Sequence, residues 1–91
     1  MMAEGVKKEL LTQIRRYLNN ELTKEQYADI AEPYFTEYAE HIEDSQFYRV
    51  FESIIPDACI IYIEEPGLAE EEKDKQFRKQ LERAYLELKD L

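Results

Sequence analysis

The sequence predicts an all-α fold, a small antiparallel bundle of about four helices in one domain. Three observations predict it: apolar residues recur at helical spacing, charged residues reach 36% around an apolar content of 44%, and only two glycines and three prolines are present. An all-β sandwich needs many more turn residues. Ninety-one residues are enough for one hydrophobic core, so a single domain, residues 1–91, is expected.

Helix 1 is predicted from Ala3 to Tyr17 or Leu18. Asn19 and Asn20 are a plausible end, because asparagine tolerates the left-handed conformation that often closes a helix. The predicted buried stripe repeats every four residues and consists of Val6, Leu10, Ile14 and Leu18.

Helix 2 begins at a capping box, in which Thr23 and Gln26 bond reciprocally to backbone groups. Pro33 lies inside the predicted helix and removes one backbone hydrogen bond. We therefore expect a kink or break near Glu32, with Pro33 in the first turn of a second piece that ends near Glu43. The predicted apolar face consists of Tyr27, Ile30, Ala31, Tyr34 and Tyr38.

Helix 3 is predicted to be capped by Asp44 or Ser45 and stopped by Pro56. The apolar run 58–63 is a helical turn or an extended segment pressed on the core; a strand would have no partner. A loop follows over 64–67, and helix 4 begins near Ala69. The predicted apolar stripe of helix 4 consists of Phe77, Leu81, Ala84, Tyr85, Leu88 and Leu91.

The acidic residues are concentrated in the middle of the chain. Residues 21–45 contain eight acidic residues and one basic residue, and residues 46–66 contain four acidic residues and one basic residue. The middle of the chain therefore carries a net charge of −10, whereas the whole chain carries −9. A negative field of this size repels nucleic acid and attracts basic partners. Direct binding of nucleic acid is therefore not expected.

Motifs for catalysis, cofactors and metals are not apparent in the sequence. The chain has no glycine-rich phosphate loop, and its lone His41 lacks the second histidine cluster that a metal site would use. The single Cys59 lies in an apolar run and is expected to be a small buried hydrophobe. An unpaired cysteine, no apolar signal region and no long apolar run predict a soluble cytoplasmic protein without membrane contact.

Two short motifs resemble those of the colicin D immunity protein family, small acidic helical proteins that neutralise tRNA-cleaving toxins of bacteriocin or contact-dependent inhibition systems. The first follows helix 1, and the second is followed by an acidic loop and an amphipathic last helix. They are Asn20-Glu21-Leu22-Thr23-x-x-Gln26-Tyr27 and Phe51-Glu52-x-x-Ile55-Pro56-Asp57-Ala58.

The resemblance implies an inhibitor that occludes the basic active-site cleft of a toxin nuclease domain by placing carboxylates where tRNA phosphates would lie. In the family, acids around the Pro-Asp pair face the catalytic basic residues of the toxin, and the matching positions here are Glu52 and Asp57, followed by Glu64. This chain has Cys59-Ile60-Ile61 where family members often have another acid. The full predicted partner-binding set is Glu40, Glu43, Asp44, Glu52, Asp57, Glu64 and Glu65.

Two other readings stay open from the sequence. A non-enzymatic adaptor could homodimerise through a tyrosine-rich face around Tyr34 and Tyr38, whereas the inhibitor is expected to bind its partner as a monomer. A metal-binding or hydrolytic helical protein would use Glu37, Glu40 and His41.

Overall fold

The computed structural model describes residues 2–91, and it confirms the predicted all-α bundle. The four helices are α1 (Ala3–Leu18), α2 (Lys24–Tyr38), α3 (Gln46–Cys59) and α4 (Glu70–Leu88). A 3₁₀ turn (Ala39–His41) follows α2, and a π-helical turn (Ile60–Glu64) follows α3. Residues 2–91 contain no strand, and of its two expected forms the run 58–63 takes the helical one.

The core is filled from all four helices. Aromatic rings join three of them, since Tyr17 of α1 lies 5.2 Å from Phe77 of α4 and 6.0 Å from Tyr27 of α2, centroid to centroid. Each fully buried large apolar side chain contributes roughly 1.5–3 kcal/mol. The largest apolar side chains that are almost fully buried are Leu10, Ile14, Tyr27, Phe47, Phe51, Ile55, Phe77, Leu81 and Leu88.

Helices α1 and α4 run antiparallel. Lys7, near the start of α1, donates to the carbonyl oxygen of Leu91 at 3.2 Å, while the carbonyl of Leu18, at the end of α1, accepts from Arg78 in the first half of α4. The guanidinium of Arg78 also lies over the ring of Tyr17, 5.9 Å from its centroid.

The predicted end of α1 and the predicted start of α2 are confirmed. Asn20 adopts φ = 65°, the left-handed conformation expected after α1. The backbone amide of Gln26 donates to the Thr23 hydroxyl at 3.1 Å, and the amide of Thr23 donates to the Gln26 side chain at 2.9 Å, which completes the capping box. Of the two candidates for α3, Ser45 is the cap, accepting from the amide of Tyr48 at 3.1 Å.

Neither interior proline ends its helix, so the predicted stop of helix 3 at Pro56 is wrong. Of the kink or break expected near Glu32, the break is absent, since α2 runs continuously through Pro33; it ends at Tyr38 rather than near Glu43. Helix α3 continues through Pro56 to Cys59. Each proline is flanked on both sides by residues that pack on the core, and this packing outweighs a cost of about 3 kcal/mol for one proline. The Pro56-Asp57 pair is therefore helical and forms no turn.

The π-helical turn extends α3 and places two isoleucines at the surface. The amide of Glu65 donates to the carbonyl of Ile60 at 3.0 Å, a five-residue spacing. Ile60 and Ile61 are 48% and 42% exposed, whereas Tyr62 and Ile63 pack on the core. Single π-helical turns are rare in proteins, and those that occur often lie at functional sites.

Two residues depart from their predicted apolar stripes. Leu91 lies beyond the end of α4 and is 43% exposed, because the buried stripe closes at Leu88. Ile30 is only half-buried, and Ala28 takes a core position on α2. Within residues 2–91, no helix combines the length and the apolar character needed to cross a bilayer.

Candidate partner-binding site

All seven acids predicted to bind a partner are solvent-exposed. They occupy four consecutive parts of the chain: the 3₁₀ turn, the link to α3, α3 itself and the end of the π-helical turn. In chain order they are Glu40, Glu43, Asp44, Glu52, Asp57, Glu64 and Glu65. Their carboxylates are therefore open to contact, although the structure does not bring all of them together.

The helical path of α3 separates Asp57 from Glu64. Asp57 lines a shallow cavity of about 260 Å³ on the side of α4, together with Ile61 and Arg83. Glu64 lines a different groove on the side of α2. The expected Pro-Asp corner, with its acids gathered on one turn, is therefore corrected to two separate positions on opposite sides of α3.

The groove between α2 and α3, named here the α2/α3 groove, has an apolar floor. It encloses about 310 Å³. The aromatic ring of Phe35 forms part of the α2 wall and stacks against Phe51 of α3 at a centroid distance of 4.7 Å. Ile55, Pro56 and the exposed Ile60 continue the apolar surface along α3 into the π-helical turn.

Two carboxylates line this floor from opposite walls, Glu32 from α2 and Glu64 from the π-helical turn. Neither forms an ion pair within residues 2–91. Both act on the buried thiol of Cys59, whose pKa is raised to about 12 by burial, by the charge of Glu32 and a hydrogen bond to it, and by the charge of Glu64. The two acids thus lie within electrostatic reach of one sulfur atom.

Two further predicted acids lie beside the groove, around Tyr48. The ring of Tyr48 stacks on Phe35 with a centroid distance of 5.5 Å. A hydrogen bond to Glu52 raises the pKa of the Tyr48 hydroxyl, and burial and the charges of Glu52 and Glu43 add to this shift. Two more acids therefore lie around a tyrosine that contacts the α2 wall of the groove.

Positive charge is sparse around these acids. Between residues 25 and 66 the only basic side chains are Arg49 and His41, and Arg49 donates to the Gln46 side chain at 3.4 Å. His41 is exposed beside the ring of Tyr38. Like charges that helices hold in place without counter-charges repel one another. The approach of a basic group is therefore electrostatically favourable.

Sequence analysis missed the part played by Glu32 and by Lys24. Glu32 was placed only near the expected kink or break of helix 2 and within the acidic stretch 21–45, because its position in the groove depends on how α2 packs against α3. Lys24 was identified only as the one basic residue of the acidic stretch 21–45, without a structural role.

Lys24 is instead buried, with 3% of its side chain exposed, and it joins α2 to α4. Its ammonium group lies 2.6 Å from Asp74 and 3.0 Å from Glu25, and it also bonds to Glu70. Burial lowers the pKa of Lys24, but the hydrogen bonds to Asp74, Glu70 and Glu25 outweigh burial and raise it overall. Asp74 thus pairs with Lys24, whereas Arg78, four residues later on α4, bonds to Asn20 and Leu18.

The features behind the two alternative readings are weak in the structure. The rings of Tyr34 and Tyr38 lie 4.6 Å apart and are half-buried against the core, which limits the area they offer to a second copy. Among the described residues, no group of three or more His, Cys, Asp and Glu side chains is arranged to hold a metal ion, and this includes Glu37, Glu40 and His41.

Compared with known proteins, the chain matches no family model, no curated protein and no solved structure. The resemblance to the colicin D immunity family therefore rests on the two short motifs alone. The site itself is defined by its own chemistry, an apolar groove with carboxylates on both walls.

Proposed function

We propose that this protein is a non-catalytic inhibitor that binds the basic active-site cleft of a tRNA-cleaving toxin nuclease domain. The observation that carries the proposal is the α2/α3 groove, where Glu32 and Glu64 face an apolar floor in a stretch whose net charge is −10. Since tRNA is cytoplasmic, the inhibitor would act in the cytoplasm.

The physical basis is replacement of phosphates by carboxylates. Lys and Arg side chains that hold tRNA phosphates bind carboxylates with similar charge-assisted hydrogen bonds. Helices fix the positions of the exposed Glu52 and Asp57 before binding, so little backbone freedom is lost when the partner arrives. The surrounding acids speed the encounter by electrostatic attraction.

Protection of tRNA from cleavage tests this proposal. The C-terminal domain encoded by the reading frame immediately upstream is expressed with and without this chain, and the tRNA is analysed on a gel. We expect cleavage that disappears on co-expression. Replacing Glu52→Lys and Asp57→Lys together should abolish protection while leaving the helical content unchanged, because the two reversed charges repel a basic cleft.

The matched control is the pair Glu82→Lys and Asp90→Lys, which makes the same change in net charge at exposed positions of α4 and the C-terminus. We expect this control to keep protection. Full protection by the Glu52/Asp57 variant would remove these acids from the site. Cleavage that persists with the native chain, together with a concentration-dependent dimer in sedimentation, would favour the adaptor that self-associates through Tyr34 and Tyr38.

A further inference from the structure

The α2/α3 groove combines two features that together match one type of side chain. We propose that it receives a single arginine of the partner, with the guanidinium between Glu32 and Glu64 and the aliphatic stem on the apolar floor. The inference rests on the proposed function for the identity of the partner, but the chemistry of the groove does not depend on it.

The two carboxylates favour arginine over lysine. They approach from opposite walls, and neither is neutralised within the described residues. A planar guanidinium presents five donors in a fixed fork and can bond to two carboxylates at once, whereas an ammonium is a compact and strongly hydrated point charge.

The floor fits the remainder of the same side chain. Ile55, Pro56 and Ile60 offer an apolar surface for the three methylene groups of arginine, which bury readily while the charged head stays at the polar rim. The ring of Phe35 adds apolar surface on the α2 wall.

The size and charge of the groove argue against other occupants. Its volume of about 310 Å³ is at the low end for small-molecule sites, roughly 300–1,000 Å³, so it suits one side chain better than a helix. A purely apolar ligand would cover two carboxylates without supplying a counter-charge, which is unfavourable. A metal ion needs more protein ligands than the two acids present here.

A small probe isolates this interaction from the rest of an interface. Nα-acetyl-L-arginine methylamide is titrated into the ¹⁵N-labelled protein, and amide shifts are followed by NMR. Binding should be about millimolar, because so small a ligand gains little energy. Shifts should saturate at residues 31–36 and 55–64. The citrulline analogue, which has the same shape without the charge, should leave these amides unchanged.

Variants then assign the carboxylates. The double change Glu32→Gln with Glu64→Gln should weaken probe binding by about tenfold, the usual effect of losing charge-assisted hydrogen bonds. Glutamine keeps an oxygen that can accept from the Cys59 thiol, so the fold should be preserved, and this is checked by urea denaturation. The matched control, Glu37→Gln with Glu82→Gln, alters two exposed acids elsewhere and should bind the probe normally.

The same variants in the tRNA protection assay separate the two proposals. Probe binding in the groove without protection by the native chain would overturn the proposed toxin partner and leave the arginine site in place. Protection that survives Glu32→Gln with Glu64→Gln, together with unchanged probe binding, would overturn the arginine site and leave the inhibitor function in place. Shifts spread over the whole acidic surface would also overturn the arginine site.

Discussion

Lys24 is the one charged side chain that the described part of the chain buries, and its environment explains how α2 and α4 hold together. Three carboxylates surround its ammonium group, and each of them is about half or more exposed. Because solvent screens these partners, the cluster contributes less than a fully buried ion network. Its main effect is to fix the start of α2 against the start of α4.

Replacing Lys24→Met should lower the free energy of unfolding by about 1–2 kcal/mol, because three acids lose their shared counter-charge while the apolar stem is retained. Urea denaturation measures this change. The matched control is Lys79→Met on the exposed face of α4, which should change stability by less than about 0.5 kcal/mol. Equal stability of the two variants would show that the cluster adds nothing to the fold.

Cys59 links the chemistry of the groove to the stability of the core. Its folded pKa is raised from 9.0 to about 12, so the folded state holds a proton that the unfolded state loses in this window. The contribution of the Cys59 thiol to the free energy of unfolding is therefore fully present below pH 9.0 and is lost as the pH rises towards about 12. The raised pKa values of Tyr27, caused by burial, and of Lys24 act in the same direction.

We therefore expect the free energy of unfolding to fall by at least ~1 kcal/mol across this alkaline window, since one unit of pKa shift corresponds to about 1.4 kcal/mol. Chemical denaturation at a series of pH values measures the slope. The variant Cys59→Ala lacks the thiol and should show a shallower slope. An identical slope in the variant would mean that the thiol does not contribute.

Among the elements, α2 retains a proline where the fold has no structural use for one. Pro33 is exposed, ten residues into the helix, and it removes the amide that would bond to Asp29. Pro33→Ala should therefore raise the free energy of unfolding by about 1–3 kcal/mol, the helix gain being partly offset by the greater freedom of the unfolded chain.

The control for this prediction is Pro66→Ala, in the exposed link between the π-helical turn and α4. Pro66→Ala should leave the free energy of unfolding unchanged or lower it slightly, because losing this proline only gives the unfolded chain more conformational freedom. Thermal and urea denaturation compare the two variants. A Pro33→Ala protein no more stable than the native chain would mean that α2 already accommodates its proline at no cost.

Local sequence signals predict the local structure of this protein well. The capping box at Thr23, the left-handed Asn20 and the buried stripe of α1 all depend on residues within a few positions of one another. The predicted stop of helix 3 at Pro56 was wrong because packing on distant residues overrides the local preference of proline. Local signals alone cannot give the outcome of that competition.

The site depends on longer distances along the chain, and it was predicted only in part. Glu64 and Glu52 were expected from the acidic stretch and lie at or beside the groove, whereas Asp57 lies on the other side of α3. Glu32 was missed because its position requires α2 to pack on α3. The π-helical turn was not foreseen either, since no simple residue pattern marks a change in helical spacing.

At the scale of the whole molecule, charge is distributed unevenly along the chain. The acids of residues 21–66 carry a net charge of −10, while residues 1–20 carry +2 and residues 67–91 carry −1. A basic partner is therefore attracted to the part of the chain that contains the α2/α3 groove. Attraction between exposed charges is screened by salt over roughly 10 Å at 0.1 M.

The association rate constant of the purified protein with the nuclease domain, measured by stopped flow at increasing salt, tests the central claim most directly. We predict a fall of about tenfold or more between 0.05 M and 0.5 M salt, with a much smaller change in the dissociation rate. Charge reversal at Glu52 and Asp57 should flatten this dependence. An association rate constant that is independent of salt would contradict recognition by the acidic middle of the chain.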